Sequence, residues 1–219
     1  LSRFVASYHQ IRDIYINNEK SLTSDNDDIV SHLIKEILKA DVEFINNEDY
    51  LIYEDGRRNA LTQASSGEQA LVPVLLFLKH LYNTTREEPR HESVFFEEPE
   101  LHIFPKFQNL LLQLLITVLQ DSNNKGDLFI TTHSPYILTS LNNLLQAGEM
   151  EKHLNKKKLK KLDKLVPKTF RINPKDFSAF QIKNGKAVNI VDEDTGLIAE
   201  NIIDEVSEMD YNYLINFQI

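Results

Sequence analysis

The sequence predicts an α/β fold with a parallel-sheet core flanked by helices, closed by a C-terminal β-hairpin and a helix. Three observations predict it. Two short apolar runs, Ser93-Val94-Phe95-Phe96 and Leu128-Phe129-Ile130-Thr131, are each followed by a helical segment opened by proline, Pro105 and Pro135. Proline fits the first position of a helix, so the order reads strand, helix, strand, helix, the rhythm of a parallel sheet. Neither run alternates, which is the pattern of a strand buried on both faces. Finally, Asn184-Gly185 separates residues 177–182 from 187–191, a strong hairpin signal.

The remaining elements follow in order. The first two dozen residues mix polar and apolar positions and end in a soft stretch from Asn17 to Asp27. Ile29, Leu33, Ile34, Ile37 and Leu38 then repeat at helical spacing, with Asp27 or Asp28 as N-cap. Residues 42–53 read as extended structure interrupted at Asn46-Asn47, and Asp55-Gly56 marks a turn. An apolar helix is expected from Gly67 to about Leu81, kinked or irregular at Pro73. Leu110 to Leu119 forms the body of the helix that Pro105 opens, Lys125-Gly126 turns the chain, and the helix after Pro135 stops near Ala147-Gly148. A lysine-rich stretch from Lys152 to Lys168 precedes the hairpin. A closing amphipathic segment carries Ile198, Ile202, Ile203 and Val206. These segments group as a lead-in (1–56), a core (57–148) and a basic segment with hairpin and closing helix (149–219), all in one domain.

Composition narrows the function classes. The 219 residues carry a formal net charge of −9, and 42% are hydrophobic, the balance of an ordinary globular chain. No cysteine is present, which excludes disulfide scaffolds, thiolate metal sites and cysteine nucleophiles. The richest apolar stretch is too short for a bilayer, and no basic-then-apolar leader opens the sequence. The expectation is a cytoplasmic protein with no membrane partner. A net acidic chain binds nucleic acid poorly unless its positive charge is segregated. The sequence opens at Leu1, straight into Ser2-Arg3-Phe4-Val5, so it is expected to be part of a longer protein.

Three segments carry chemistry. Ser65-Ser66-Gly67-Glu68-Gln69 stands at a helix start, where backbone N–H groups, a hydroxyl and a glycine make a phosphate-binding surface; an ordinary cap has the same composition. Glu97-Glu98-Pro99-Glu100 closes the first apolar strand, where an open α/β sheet places its ligands. Adjacent carboxylates repel, so a hard cation on one and a water polarised by the other is an economical use of them; a solvated acidic loop is the alternative. Thr131-Thr132-His133-Ser134-Pro135 follows the second strand, so His133 could face the same crevice.

Taken in this order, the three motifs resemble the ATP-binding-cassette class of P-loop ATPases, and more narrowly the head domains of RecF-like, OLD-like and structural-maintenance-of-chromosomes proteins. The resemblance covers about Gly56 to Leu141 with specific motifs and the chain through Leu197 more loosely. It implies a partial P-loop ATPase head using ATP and Mg²⁺, forming a homodimer that sandwiches nucleotide. By that likeness residues 65–69 are the signature motif, with Ser66 and Gly67 contacting the γ-phosphate of ATP held by the opposite subunit. Glu97 matches the Walker B acid that holds Mg²⁺ through water. Glu98 matches the general base, Pro99 to Pro105 the D-loop, and His133 the switch histidine. The Walker B acid is glutamate rather than the commoner aspartate, and Phe104 stands where many relatives have a second histidine. Relatives work in DNA repair and bacterial defence.

One part of the family pattern is missing. Among the six glycines only Gly185 precedes lysine, and Phe180 and Ala187 break the Gly-x-x-x-x-Gly-Lys-Ser/Thr spacing, so the 219 residues contain no Walker A motif. In the family this motif lies upstream of the signature. No Q-loop glutamine is assigned, Gln10 being a candidate by position alone. The alternative function is a non-hydrolysing interaction or dimerisation module whose motifs only shape a dimer interface or dock a partner effector. Lys156-Lys157-Lys158-Leu159-Lys160-Lys161 reads as a helix with a solvated basic face or as a contact for DNA or an acidic partner. Asp192-Glu193-Asp194 has the look of a metal-binding pair, as in a nuclease, but reads as a turn. His80, His91 and His153 lack partner spacing and are expected to have no chemical role.

Overall fold

The computed structural model describes residues 2–17, 22–23, 28–45, 48–88, 91–101, 103–120 and 126–199, with the side chains of 2–7 left aside. The predicted closing helix beyond Ile198 lies outside these residues. The chain divides into two compact units, Leu1–Ile130 and Thr131–Ile219.

The first unit starts with a helix the sequence reading missed, α1 (Ser2–Asn17). Its apolar periodicity is weak; Ile11 and Tyr15 are buried, and charge and hydroxyl contacts join them. Arg12 pairs with Asp49 at 2.5 Å, and the Tyr8 hydroxyl donates to the same carboxylate. Helix α2 (Ile29–Leu38) buries Val30, Leu33, Ile34 and Ile37 and is capped by Asp28, whose carboxylate accepts from the Val30 and Ser31 N–H groups. The extended segment is a hairpin, β1 (Ala40–Ile45) against β2 (Glu48–Tyr53), paired from Ala40↔Tyr53 to Ile45↔Glu48. The Asp55-Gly56 turn then brings β3 (Arg58–Ala60) back along β2. This antiparallel three-stranded sheet adds to the expected architecture.

Helix α3 runs unbroken over Ser66–Glu87, past the predicted end and straight through Pro73. Proline in a helix interior costs about 3 kcal/mol or more. Here burial of Val72, Leu75, Leu76 and Leu78 on the same helix outweighs it. One buried cation anchors it: Lys79, 3% exposed, reaches the Asp28 cap of α2 and donates to the Ser31 hydroxyl at 2.8 Å. Burial pushes the Asp28 carboxyl up, but the Lys79 ammonium and the Val30 and Ser31 N–H groups outweigh this and hold it below the usual carboxylate range.

Strand β4 (Val94–Glu97), helix α4 (Pro105–Gln120) and strand β5 (Leu128–Thr131) form the expected strand–helix–strand unit. The Val94 N–H donates to the Asp127 carbonyl at 2.8 Å, and Phe95 stacks on Phe129 with ring centroids 4.5 Å apart. The two strands thus advance together, as a small parallel sheet. Gly126 makes the pairing possible: a Cβ there would lie 1.5 Å from the Glu92 carbonyl oxygen. Helix α4 is buried along most of its length and packs on α2 and α3. The strands themselves correct an expectation, because Phe95 is 73% and Phe129 50% exposed. Only one face of this sheet is covered by described residues, so the side chains alternate, with Phe95 and Glu97 on the open side and Val94 buried.

The second unit begins with α5 (Pro135–Glu151), which continues through Gly148 instead of stopping there. Gly148 serves close packing, since a Cβ would lie 2.0 Å from the Ile172 carbonyl oxygen. Helix α6 (Lys156–Leu165) is capped by Asn155 and packs on α5. Strands β6 (Phe180–Lys183) and β7 (Lys186–Asn189) pair antiparallel across Asn184 (φ 52°) and Gly185 (φ 73°), the conformation that Asn-Gly adopts most readily. Ile198 is buried in a bridge to Val191, with its backbone N–H and carbonyl held by the Asn142 side chain. It is therefore not the start of a helix. No helix among the described residues is long and apolar enough to cross a membrane.

Candidate functional site

The serine-glycine segment is positioned from both sides. Upstream, β2, the Asp55-Gly56 turn and β3 deliver a short 3-10 turn, Leu61–Gln63. Downstream, α3 begins at Ser66 with Ser65 as its N-cap. Ser65 and Glu68 form a capping box: the Ser65 hydroxyl accepts from the Glu68 N–H at 3.3 Å, while the Glu68 carboxylate accepts from the Ser65 N–H at 2.9 Å. The Tyr53 hydroxyl donates to the other Glu68 oxygen at 2.7 Å, fastening the box to the end of β2. Burial pushes the Glu68 carboxyl up, but the Ser65 and Tyr53 hydroxyls and the Ser65 N–H hold it below the usual range. Gln69 is turned back, its amide donating to the Ala64 carbonyl at 2.8 Å.

Of the five residues named for phosphate contact, Ser65, Glu68 and Gln69 thus build the loop, while Ser66 is exposed on it beside half-buried Gly67. Tyr53 was missed in the sequence; the only local signal was the Asp55-Gly56 turn that returns the chain towards it.

The acidic pair sits at the end of β4. Glu97 is the last strand residue and points to the open face. Glu98 is half-buried and has φ +46°, one of three non-glycine residues with positive φ among those described. A conformation of this kind costs of order 1–3 kcal/mol and persists only where the surroundings enforce it. Here Pro99 is buried directly after it, and the Glu98 carbonyl accepts from the Leu101 N–H at 3.1 Å. The strand end thus leaves Glu97 exposed, and the turn after it holds Glu98 half-buried.

Glu97 fits a role towards Mg²⁺ only in a limited sense. An exposed carboxylate at a strand end is a suitable oxygen donor, and Mg²⁺ is usually held by one or two carboxylates together with phosphate and water. No group of three or more His, Asp or Glu among the described residues is arranged to hold a metal unaided.

His133 belongs to the second unit, where it is exposed just before α5. The Ser134 N–H donates to the Thr132 hydroxyl at 3.0 Å, which shapes this short approach to the helix. Phe104 is exposed ahead of α4, and Gln10 is exposed within α1. The Asp192 turn is closed on itself: its carboxylate accepts from the Thr195 N–H and hydroxyl, both at 2.8 Å, and from the Asp194 N–H at 3.1 Å.

The first strand of a strand–helix–strand unit ends in paired acids, and α3 starts at a capped serine-glycine segment. Residues 1–138 match the AAA ATPase domain family, more than half of the chain, and the chain belongs to that family. It is an AAA-family, P-loop ATPase-like domain. Membership associates it with ATP binding and ATPase activity, with nucleotide and typically Mg²⁺ use, and with a class of proteins that commonly oligomerise. No curated protein matches the chain.

Proposed function

We propose that this chain is part of an ATP-hydrolysing head, contributing the general base and the trans-acting signature rather than the main phosphate cradle. The observation that carries the reading is the strand-end pair: Glu97 presented on the open sheet face and Glu98 held at φ +46° directly after it. In an enzyme of this class Glu98 accepts a proton from the attacking water. That oxygen bonds to the γ-phosphorus while the bond to the β,γ-bridging oxygen breaks, releasing ADP and phosphate. Mg²⁺, when bound with the nucleotide, neutralises charge on the phosphates. Glu97 is the residue that would hold it through water. Ser66 and the Gly67 N–H, at the positive end of α3, suit the γ-phosphate of a nucleotide held by the other subunit of a homodimer. His133 takes the γ-phosphate-sensing role by its place in the motif order. The setting that fits is a cytoplasmic DNA-repair or defence ATPase.

Residues 1–219 contain no Gly-x-x-x-x-Gly-Lys-Ser/Thr, so in this reading the cradle comes from elsewhere in the intact protein. The test is ATP hydrolysis by the full-length protein, wild type beside Glu98→Gln, with residues 1–219 as control. Turnover in the wild type alone supports the reading. No turnover in any of the three replaces it with a non-hydrolysing docking module. Turnover by residues 1–219 means that the cradle has been misassigned.

A further inference from the structure

The positive charge of this acidic chain is concentrated in one place. Between Lys152 and Lys175 stand ten lysines and arginines against a single aspartate, Asp163, in a chain whose net charge is −9. Helix α6 carries the densest part, and its geometry sorts the charges. At 100° per residue, Lys157, Lys160, Lys161 and Lys164 fall within one quarter-to-third of the helix circumference, all exposed. Leu159 and Leu162 lie diametrically opposite, half-buried and buried, on the side that packs on α5.

Asp163 does not interrupt the stripe. It pairs at 2.5 Å with buried Arg171, which also faces Glu151 at 3.1 Å and donates to the Val166 carbonyl at the helix end. The Asn155 cap fixes the other end, its side chain accepting from the Lys158 N–H at 3.0 Å. None of the four lysines has a carboxylate partner among the described residues.

We propose that this stripe binds the phosphate backbone of nucleic acid without reading its sequence. From Lys157 to Lys164 the stripe rises about 10 Å, the axial span of about three base pairs. Lysines as point charges, with no arginine or amide beside them, position a backbone and carry no base code. A membrane surface fits less well, because an interfacial helix inserts its apolar face and here that face is already packed on α5. A protein partner also fits less well, since protein interfaces are depleted in lysine and centred on aromatic or apolar anchors that this stripe lacks. The inference stands independently of the ATPase reading.

The test is binding of a fluorescent 30-base-pair duplex of mixed sequence to the full-length protein, without nucleotide, between 50 and 200 mM salt. About four phosphate contacts predict an affinity falling roughly 100-fold over that range. Charge reversal of Lys157, Lys160, Lys161 and Lys164 to Glu removes this salt-dependent binding, replacement of all four by Arg preserves it, and Lys183→Glu with Lys186→Glu on the hairpin leaves it in place. Unchanged folding of each variant is read from circular dichroism, and a four-fold Gln variant serves if the Glu variant unfolds. Unaltered affinity in the folded Glu or Gln variant overturns the proposal. So does equal or tighter binding to phosphatidylserine vesicles that depends on the same lysines, or absence of duplex binding by the wild type at 50 mM salt.

Discussion

The acidic turn after β7 and the acidic turn after β4 use their carboxylates in opposite ways. After β7, Asp192 accepts three hydrogen bonds from Asp194 and Thr195, so its charge is spent on closing its own turn. After β4, the backbone takes the strain: Glu98 is held at φ +46°, and Glu97 stays on the open sheet face. Acid-rich segments that look alike in sequence differ in whether the local backbone consumes the acid or presents it. Only a presented carboxylate is available to a water or an ion.

The largest effect that could break this contrast is kinetic. In the full-length protein Glu98→Gln should lower ATP turnover by about 100-fold or more while nucleotide binding persists, as judged by single-turnover and binding assays. Next comes the support beneath the first turn. Gly126→Ala places a methyl group against the Glu92 carbonyl and should destabilise the first unit by about 2–3 kcal/mol in urea unfolding, loosening β4 and the acids it carries.

A smaller and opposite effect isolates the strain. Glu98→Gly relieves the positive φ and should stabilise the protein by up to about 1 kcal/mol while turnover is lost; a destabilised Gly variant would mean the turn is not strained. The smallest effect belongs to the second turn. Asp192→Asn should leave turnover within about twofold of wild type, with only a modest fall in melting temperature. The Thr195 N–H and hydroxyl hold the Asp192 carboxyl below its usual range. Its contribution to stability is therefore full above the unfolded value near 4 and is lost as pH falls through the folded value. The melting-temperature gap between wild type and Asp192→Asn should close as pH drops below about 4.

Much of the fold was legible where its signals are local. Asp28 capping α2, the helix after Pro105 and the Asn184-Gly185 hairpin depend on a few neighbouring residues and ordinary backbone preferences. The motif order around Ser65–Gln69 and Glu97-Glu98 led to the ATPase class that the family match supports. Helix α1 was less legible because its anchor is an ion pair from Arg12 to Asp49, 37 residues away. Pro73 was expected inside this helix as a kink or an irregular part of α3; the helix is continuous across it, held by the buried leucines around it. Gly148 read as a stop, yet its missing Cβ answers to the Ile172 carbonyl from another segment.

The sequence by itself determined the strand–helix–strand order from β4 to β5, the Asp28 cap and the Asn184-Gly185 turn, and which residue types could meet a phosphate or a metal. Those follow from periodicities and short-range hydrogen bonds written into adjacent positions. Tertiary structure decided which of these residues are used up. It committed Glu68 to Tyr53, Asp163 to Arg171 and Lys79 to Asp28, and left Glu97 and the α6 lysines facing outward. The physical reason is that a polar side chain's availability depends on partners brought near it by packing, often from far along the chain.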